Sequence, residues 1–170
     1  EFFAQRFAAI TGFVVELAPT PDLKAHAASV VLDRVQDAGN VGSILRSAAA
    51  LGFSQVLAIE GTAGLWSPKV LRAAMGAHFG PDLIEGLGTD DLRALQVPLP
   101  AASVQATALL HEARLPFPCA WVFGHEGQGI DAALAARCAM ALRIPQPGGE
   151  ESLNVAAAAA ICLYASRVAA

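Results

Sequence analysis

Three segments of this chain gather asparagine, arginine, glutamate and serine around glycine. They are Asn40-Val41-Gly42-Ser43-Ile44-Leu45-Arg46, Phe123-Gly124-His125-Glu126-Gly127-Gln128-Gly129-Ile130 and Ile144-Pro145-Gln146-Pro147-Gly148-Gly149-Glu150-Glu151-Ser152-Leu153-Asn154-Val155. Glycine lets backbone N–H and C=O groups approach a ligand closely, which suits recognition of a nucleoside. Arg46 is the one charge between Asp37 and Glu60. A lone guanidinium in an alanine- and leucine-rich helix is better explained by a phosphate or carboxylate partner than by solubility. Ser152 suits a helix N-cap, which leaves Asn154, a poor helix former, to be explained by a site. Taken alone, the glycine segment fits a tight turn before a helix at Asp131 equally well. Three such segments, spread over more than a hundred residues, point to one composite site.

Other chemistries fit poorly. The glycines read G-x-x-G-x-G, not the dinucleotide-binding G-x-G-x-x-G, and no Gly-Lys-Ser/Thr follows to make a P-loop. His26, His78, His111 and His125 have no metal-ligand spacing with one another or with Cys119, Cys138 and Cys162, so no metal is expected. The cysteines are far apart among apolar residues, as buried thiols in a reducing cytoplasm would be. With 170 residues, 55% of them apolar, and a net charge of −4, the chain is long enough for one core without disulfides. No apolar run is long and uncharged enough to span a bilayer, so no membrane is expected. The acidic balance confines any nucleic-acid contact to a local patch, for which Arg34, Arg46, Lys69 and Arg72 are the candidates.

These residues must be positioned by short apolar runs alternating with helices. Strands are predicted over 29–32, 55–59, 102–106, 119–123 and 140–144, with weaker ones at 12–17 and around Leu83. Each strong run is continuously apolar, as strands buried on both faces of a parallel sheet are. Helices are predicted over 41–51 with Gly52 as its stop, from Ser67-Pro68 to about Met75 with Gly76 as its stop, and over 90–96 and 131–137; a long final helix is capped by Ser152. The alternation implies an α/β fold, a mostly parallel sheet with helices on both faces. In such a sheet ligands bind beyond the carboxyl ends of the strands, where all three segments fall. Five alanines, Ala156 to Ala160, keep the last helix thin enough for another backbone to pass beside it. The chain opens on Glu1-Phe2-Phe3 without a methionine, so residues 1–25 are expected to be an N-terminal segment, the remnant of a linker to a missing domain, and 26–170 the functional domain.

In order and spacing the three segments resemble the motifs N-x-G-x-I-x-R, F-G-x-E-G-x-G and I-P-x-x-G-x-x-x-S-L-N-V of the SpoU (TrmH) family of RNA ribose methyltransferases, in the SPOUT superfamily. The match covers about residues 31–164, and the stretch from Ser67-Pro68-Lys69 to Gly76-Ala77 is similar to the family's link region. The resemblance implies a SPOUT fold with a C-terminal trefoil knot, a homodimer, S-adenosylmethionine held in the knot (leaving as S-adenosylhomocysteine), and methyl transfer to a ribose 2′-hydroxyl of rRNA or tRNA, rRNA being favoured.

By position, the resemblance places Gly124, Glu126, Gly129, Ile144, Leu153 and Asn154 around the cofactor, and Asn40, Arg46, Glu126, Ser152 and Asn154 in the polar catalytic site. A guanidinium is hardly ever deprotonated, so Arg46 is expected to position the target phosphate and stabilise developing alkoxide charge while the RNA phosphate shares in removing the proton. Glu126 is expected to hold the Asn40 loop or a backbone amide more than to react. His125 and Ala74 depart from the family pattern without touching this chemistry. Two alternatives stay open: a base methyltransferase of the same fold and a catalytically silent RNA-binding module.

Overall fold

The computed structural model describes residues 7–10, 13–149 and 152–169. Six strands form one all-parallel sheet: β3 (Ser29–Asp33), β4 (Gln55–Ile59), β5 (Asp82–Leu87), β6 (Pro100–Ala102), β7 (Ala120–Gly124) and β8 (Met140–Leu142), in the order β5-β4-β3-β7-β6-β8. Two further strands, β1 (Phe7–Ile10) and β2 (Phe13–Glu16), pair antiparallel as a separate hairpin. Gly12, where the weak first strand was expected to begin, lies outside the described residues, as do Glu150 and Glu151 of the third segment.

The central strands are buried on both faces, and their alternation sorts side chains into two cores. Val30, Leu32, Val56, Ala58, Trp121 and Phe123 point to one, and Val31, Leu57, Ile59, Ala120 and Val122 to the other. The first core is roofed by α1 (Ala38–Ala50), α2 (Pro68–Ala74) and α4 (Val155–Val168). Ile44 and Leu45 of α1 are wholly buried there, each stabilising by about 1.5–3 kcal/mol. The second core is closed by Leu92, Leu95, Val97 and Leu99 and by Leu134 of the short helix α3 (Ala132–Ala135).

Four local expectations need correction. The sixth strand is not 102–106 but Pro100–Ala102. Proline lacks a donor but keeps its acceptor, and just before the strand the Pro98 carbonyl accepts from Ala120 N and the Leu99 carbonyl from Ala139 N, each at 2.9 Å. Helix α1 starts three residues earlier than expected because Asp37 caps it, accepting from Asn40 N at 2.8 Å. Residues 90–96 yield only one 3-10 turn, Asp91–Ala94. Finally, Ser152 does not cap α4; Asn154 does, its Oδ1 accepting from Ala156 N at 2.9 Å and Ala157 N at 3.3 Å. The helix at Ser67 behaves as expected, with Ser67 as cap, Pro68 at its first position and a left-handed exit through Met75 and Gly76.

Candidate active site

Because the sheet is all parallel, the connections leaving β3, β6, β7 and β8 gather along one edge. There a cleft of about 580 Å³ is walled by residues 101–105 after β6, by Phe123 to Ile130 after β7, and by Leu142, Ile144, Gln146 and Ser152 to Val155 after β8. All of Gly124, Glu126, Gly129, Ile144, Ser152, Leu153 and Asn154 line it.

The glycine segment closes on itself. His125 and Gly129 exchange two backbone hydrogen bonds, at 3.1 and 2.9 Å, and His125 Nδ1 accepts from the N–H groups of Gly127 and Gln128 at 2.9 and 3.1 Å. That histidine nitrogen is therefore an acceptor, and the residue in the variable position of the motif shapes the turn. A Cβ on Gly124 would stand 2.4 Å from Gly129 C and 2.5 Å from Ile130 N. The first glycine thus admits the loop's own backbone as well as lining the cleft. Gly42 serves helix packing in the same way: a Cβ there would lie 2.4 Å from Ala73 Cβ, so its absence lets α1 and α2 touch.

A chain of side-chain hydrogen bonds joins the three segments. Asn154 Nδ2 donates to Asn40 Oδ1 at 2.9 Å, and Asn40 Nδ2 donates to Glu126 Oε1 at 3.1 Å. The Glu126 carboxylate also accepts from the amides of Gln36 and Asp37, both at 3.4 Å. Glu126 so ties the glycine loop to the β3–α1 connection. Burial works against its ionisation, but hydrogen bonds from its own backbone, from Asn40 and from the Gln36 and Asp37 amides outweigh that, and its pKa lies below the ordinary value. Each amide in the chain has a fixed orientation, because Asn154 Oδ1 is committed to the N-terminus of α4 and only its Nδ2 is left for Asn40.

The four basic candidates differ in their surroundings. Arg34 is already engaged: it pairs with buried Asp33 at 2.8 Å and reaches Gln128 Oε1 at 3.0 Å, and Asp33 raises its pKa. Lys69 and Arg72 share a second, shallower concavity with Gln36, Asp37, Ala38 and Gly39, beside the backbone that grips Glu126. Arg46 is exposed on α1, nearly two turns beyond Asn40, outside the cleft lining and without a hydrogen bond or ion pair to a described residue.

Several site residues escaped sequence reading. Asp33, wholly buried, binds Arg34 and accepts Asp131 N at 2.6 Å, closing the base of the glycine loop; its one signal was an acid ending an apolar strand. Ser103, Val104 and Gln105 were hidden by the misplaced sixth strand. Gln146 lines the cleft with its Oε1 buried and unpaired among the described residues.

A parallel α/β sheet with a composite cleft at its carboxyl edge, rimmed by an Asn–Asn–Glu hydrogen-bond chain, defines a ligand-binding α/β domain. Comparison with known proteins narrows this. The SpoU rRNA Methylase family profile matches residues 27–164, and the chain belongs to that family. It is 39% identical over 138 residues to the 23S rRNA (guanosine(2553)-2′-O)-methyltransferase RlmP of Bacillus subtilis, covering 79% of this chain and 56% of that protein. A TrmH-family structure from Porphyromonas gingivalis superposes with TM-score 0.83 at 37% identity, over 91% of this chain and 64% of the other. The AdoMet-bound rRNA methyltransferase from Sinorhizobium meliloti gives 0.80 at 30% identity, over 89% and 60%. The chain thus spans little more than half the length of the RlmP relative.

Proposed function

We propose that this chain catalyses methyl transfer from S-adenosylmethionine to a ribose 2′-hydroxyl of RNA, rRNA more than tRNA. The observation that carries the reading is the Asn154–Asn40–Glu126 chain on the rim of the cleft, which joins all three motif segments through hydrogen bonds of 2.9 and 3.1 Å. The rRNA preference rests on the similarity to RlmP.

The cleft fits the cofactor. Its volume of about 580 Å³ suits a nucleoside-sized ligand. Leu142, Ile144 and Leu153 offer apolar surface, and the buried, unpaired Gln146 Oε1 asks for a hydrogen-bond donor. Gly124, Glu126, Gly129, Ile144, Leu153 and Asn154 would hold the cofactor. S-adenosylmethionine supplies a methyl on a sulfonium, open to in-line displacement once nucleophile and carbon are aligned.

The chain's own residues supply alignment and charge. Asn40, fixed at both ends, presents a rigid rim to the target ribose, and Ser152 lies exposed in the cleft wall. Arg46 holds the target phosphate and stabilises the developing alkoxide, the 2′-hydroxyl proton passing to that phosphate. Lys69 and Arg72 add contacts to neighbouring phosphates.

The family resemblance further implies a trefoil knot and a homodimer. The Asn154–Asn40 bond, spanning 114 positions, supports a C-terminal segment brought back against the β3–α1 connection. Ile161, Tyr164 and Val168 are 41, 58 and 64% exposed along one stripe of α4, apolar surface that a second copy would cover. Burial pushes the free thiols of Cys119 and Cys162 up to about 11 and about 12, so both stay protonated and unreactive at neutral pH. No helix among the described residues is long and apolar enough to cross a membrane.

The test is transfer of labelled methyl from S-adenosylmethionine to unmodified total RNA, followed by nucleoside mass spectrometry. A 2′-O-methylated nucleoside is expected; a base-methylated product, or cofactor binding without transfer, would overturn the reading.

A further inference from the structure

Arg34 directly follows β3 with φ 58°, in the left-handed region that a residue carrying a Cβ leaves unless its surroundings over-determine it. Its surroundings do. The Arg34 N–H donates to Thr62 Oγ1 at 3.0 Å, and Nε and Nη2 grip the two oxygens of the Asp33 carboxylate at 2.8 and 3.1 Å. Across the gap, Nη1 donates to Gln128 Oε1 at 3.0 Å and Nη2 to the Gly129 carbonyl at 3.4 Å. Asp33 in turn accepts the Asp131 N–H at 2.6 Å. One ion pair therefore fastens residues 128, 129 and 131, the limb of the glycine loop that returns from Glu126 and walls the cleft.

We propose that Arg34 is a positioning residue: paired with Asp33, it latches the glycine loop into the shape that binds S-adenosylmethionine, and it is not an RNA contact. This rests on the cleft being the cofactor site. A guanidinium is needed because its planar fork reaches both carboxylate oxygens and both loop oxygens at once. A lysine ammonium at the same position keeps the charge but has one nitrogen to place among four acceptors. The left-handed backbone gives the geometry its direction, turning the side chain back from the strand end toward the loop.

Arg34→Lys and Arg34→Gly separate the possibilities, with S-adenosylhomocysteine affinity measured by calorimetry, RNA affinity by filter binding, and amide hydrogen exchange at Gly129 and Asp131. Glycine accepts φ 58° without strain but strips the buried Asp33 carboxylate of its guanidinium, so that variant should melt several degrees below the parent, and binding and exchange are compared well below its transition. Both variants should nevertheless bind S-adenosylhomocysteine at least about tenfold more weakly, with RNA affinity within about twofold and faster exchange at the two amides. If lysine restores cofactor affinity, or if RNA affinity follows the charge at position 34, the latch is wrong. Unchanged cofactor affinity and exchange in both variants would also overturn it. Should the parent chain itself fail to bind S-adenosylhomocysteine, the functional reading falls, and exchange at Gly129 and Asp131 still decides whether Arg34 holds the loop.

Discussion

Asn154 and Asn40, 114 positions apart, share a hydrogen bond of 2.9 Å in which the residue that caps α4 donates to a residue in the first turn of α1. Two helix N-termini and the Glu126 loop are thereby registered to one another at the rim of the cleft. A cap already committed through its oxygen has only its amide nitrogen free, so the orientation of Asn40 is set by the helix behind Asn154, and that of Glu126 by Asn40.

Asn40→Ala should cut this chain in the middle. The lost hydrogen bonds lie at exposed or half-buried groups, so stability should fall by only about 0.5–1.5 kcal/mol. Methyl transfer should fall by about a hundredfold, because the rim no longer holds the reacting groups in register. Single-turnover transfer assays beside thermal melts separate the two effects.

Arg46→Ala should abolish transfer while S-adenosylhomocysteine affinity stays within about twofold, since Arg46 lies outside the cleft lining. Equal loss of cofactor binding, measured by calorimetry, would show that its role had been misassigned.

Gly42→Ala should cost about 1–3 kcal/mol in denaturant unfolding, because the added Cβ would meet Ala73 Cβ at 2.4 Å and Ala74 N at 2.8 Å, a rigid helix face. Gly148→Ala is the control. A Cβ there has nothing within 4 Å and meets no positive φ, so its effect should stay within about 0.5 kcal/mol.

The depressed pKa of Glu126 fixes the sign of a pH effect. A carboxylate favoured by the folded state contributes its hold on the Asn40 loop above its unfolded pKa, about 4.3 for glutamate, and that hold is lost as pH falls through the lower folded value. Cofactor affinity should therefore be level through neutral pH and decline only below the ordinary carboxylate range. Glu126→Gln should remove that acid limb; an unchanged limb in calorimetric titrations would assign it to another group.

Tyr164→Asp, at the middle of the exposed apolar stripe on α4, should convert a dimer to monomer in sedimentation velocity without lowering the melting temperature of the isolated fold by more than a few degrees. A parent that sediments as a monomer would dispose of the dimer.

What the sequence determined by itself is what local chemistry can encode. The run Gln55–Ile59, apolar after its first residue, matched its strand to the residue, as a strand buried on both faces favours. The Ser67-Pro68 start and the Met75-Gly76 exit of α2 were legible because capping and left-handed φ depend on single residues. The three motif segments named the family from order and spacing alone, and Glu126, expected to hold the Asn40 loop or a backbone amide, accepts from Asn40 Nδ2. Tertiary structure decided whatever depends on which of several equivalent groups finds a partner. Ser152 and Asn154 are equally good caps by propensity, and Asn154 caps α4 while its amide also meets Asn40. Pro98 and Leu99 looked like loop until the amides of Ala120 and Ala139 supplied donors for their carbonyls. Arg34 looked like a free cation, because nothing in the order of residues shows that the chain turns left-handed there and folds the guanidinium back onto Asp33 and a loop 94 positions away. Propensity acts through bonds along the chain, whereas commitment of a donor or acceptor acts through space, and only the folded arrangement makes that choice.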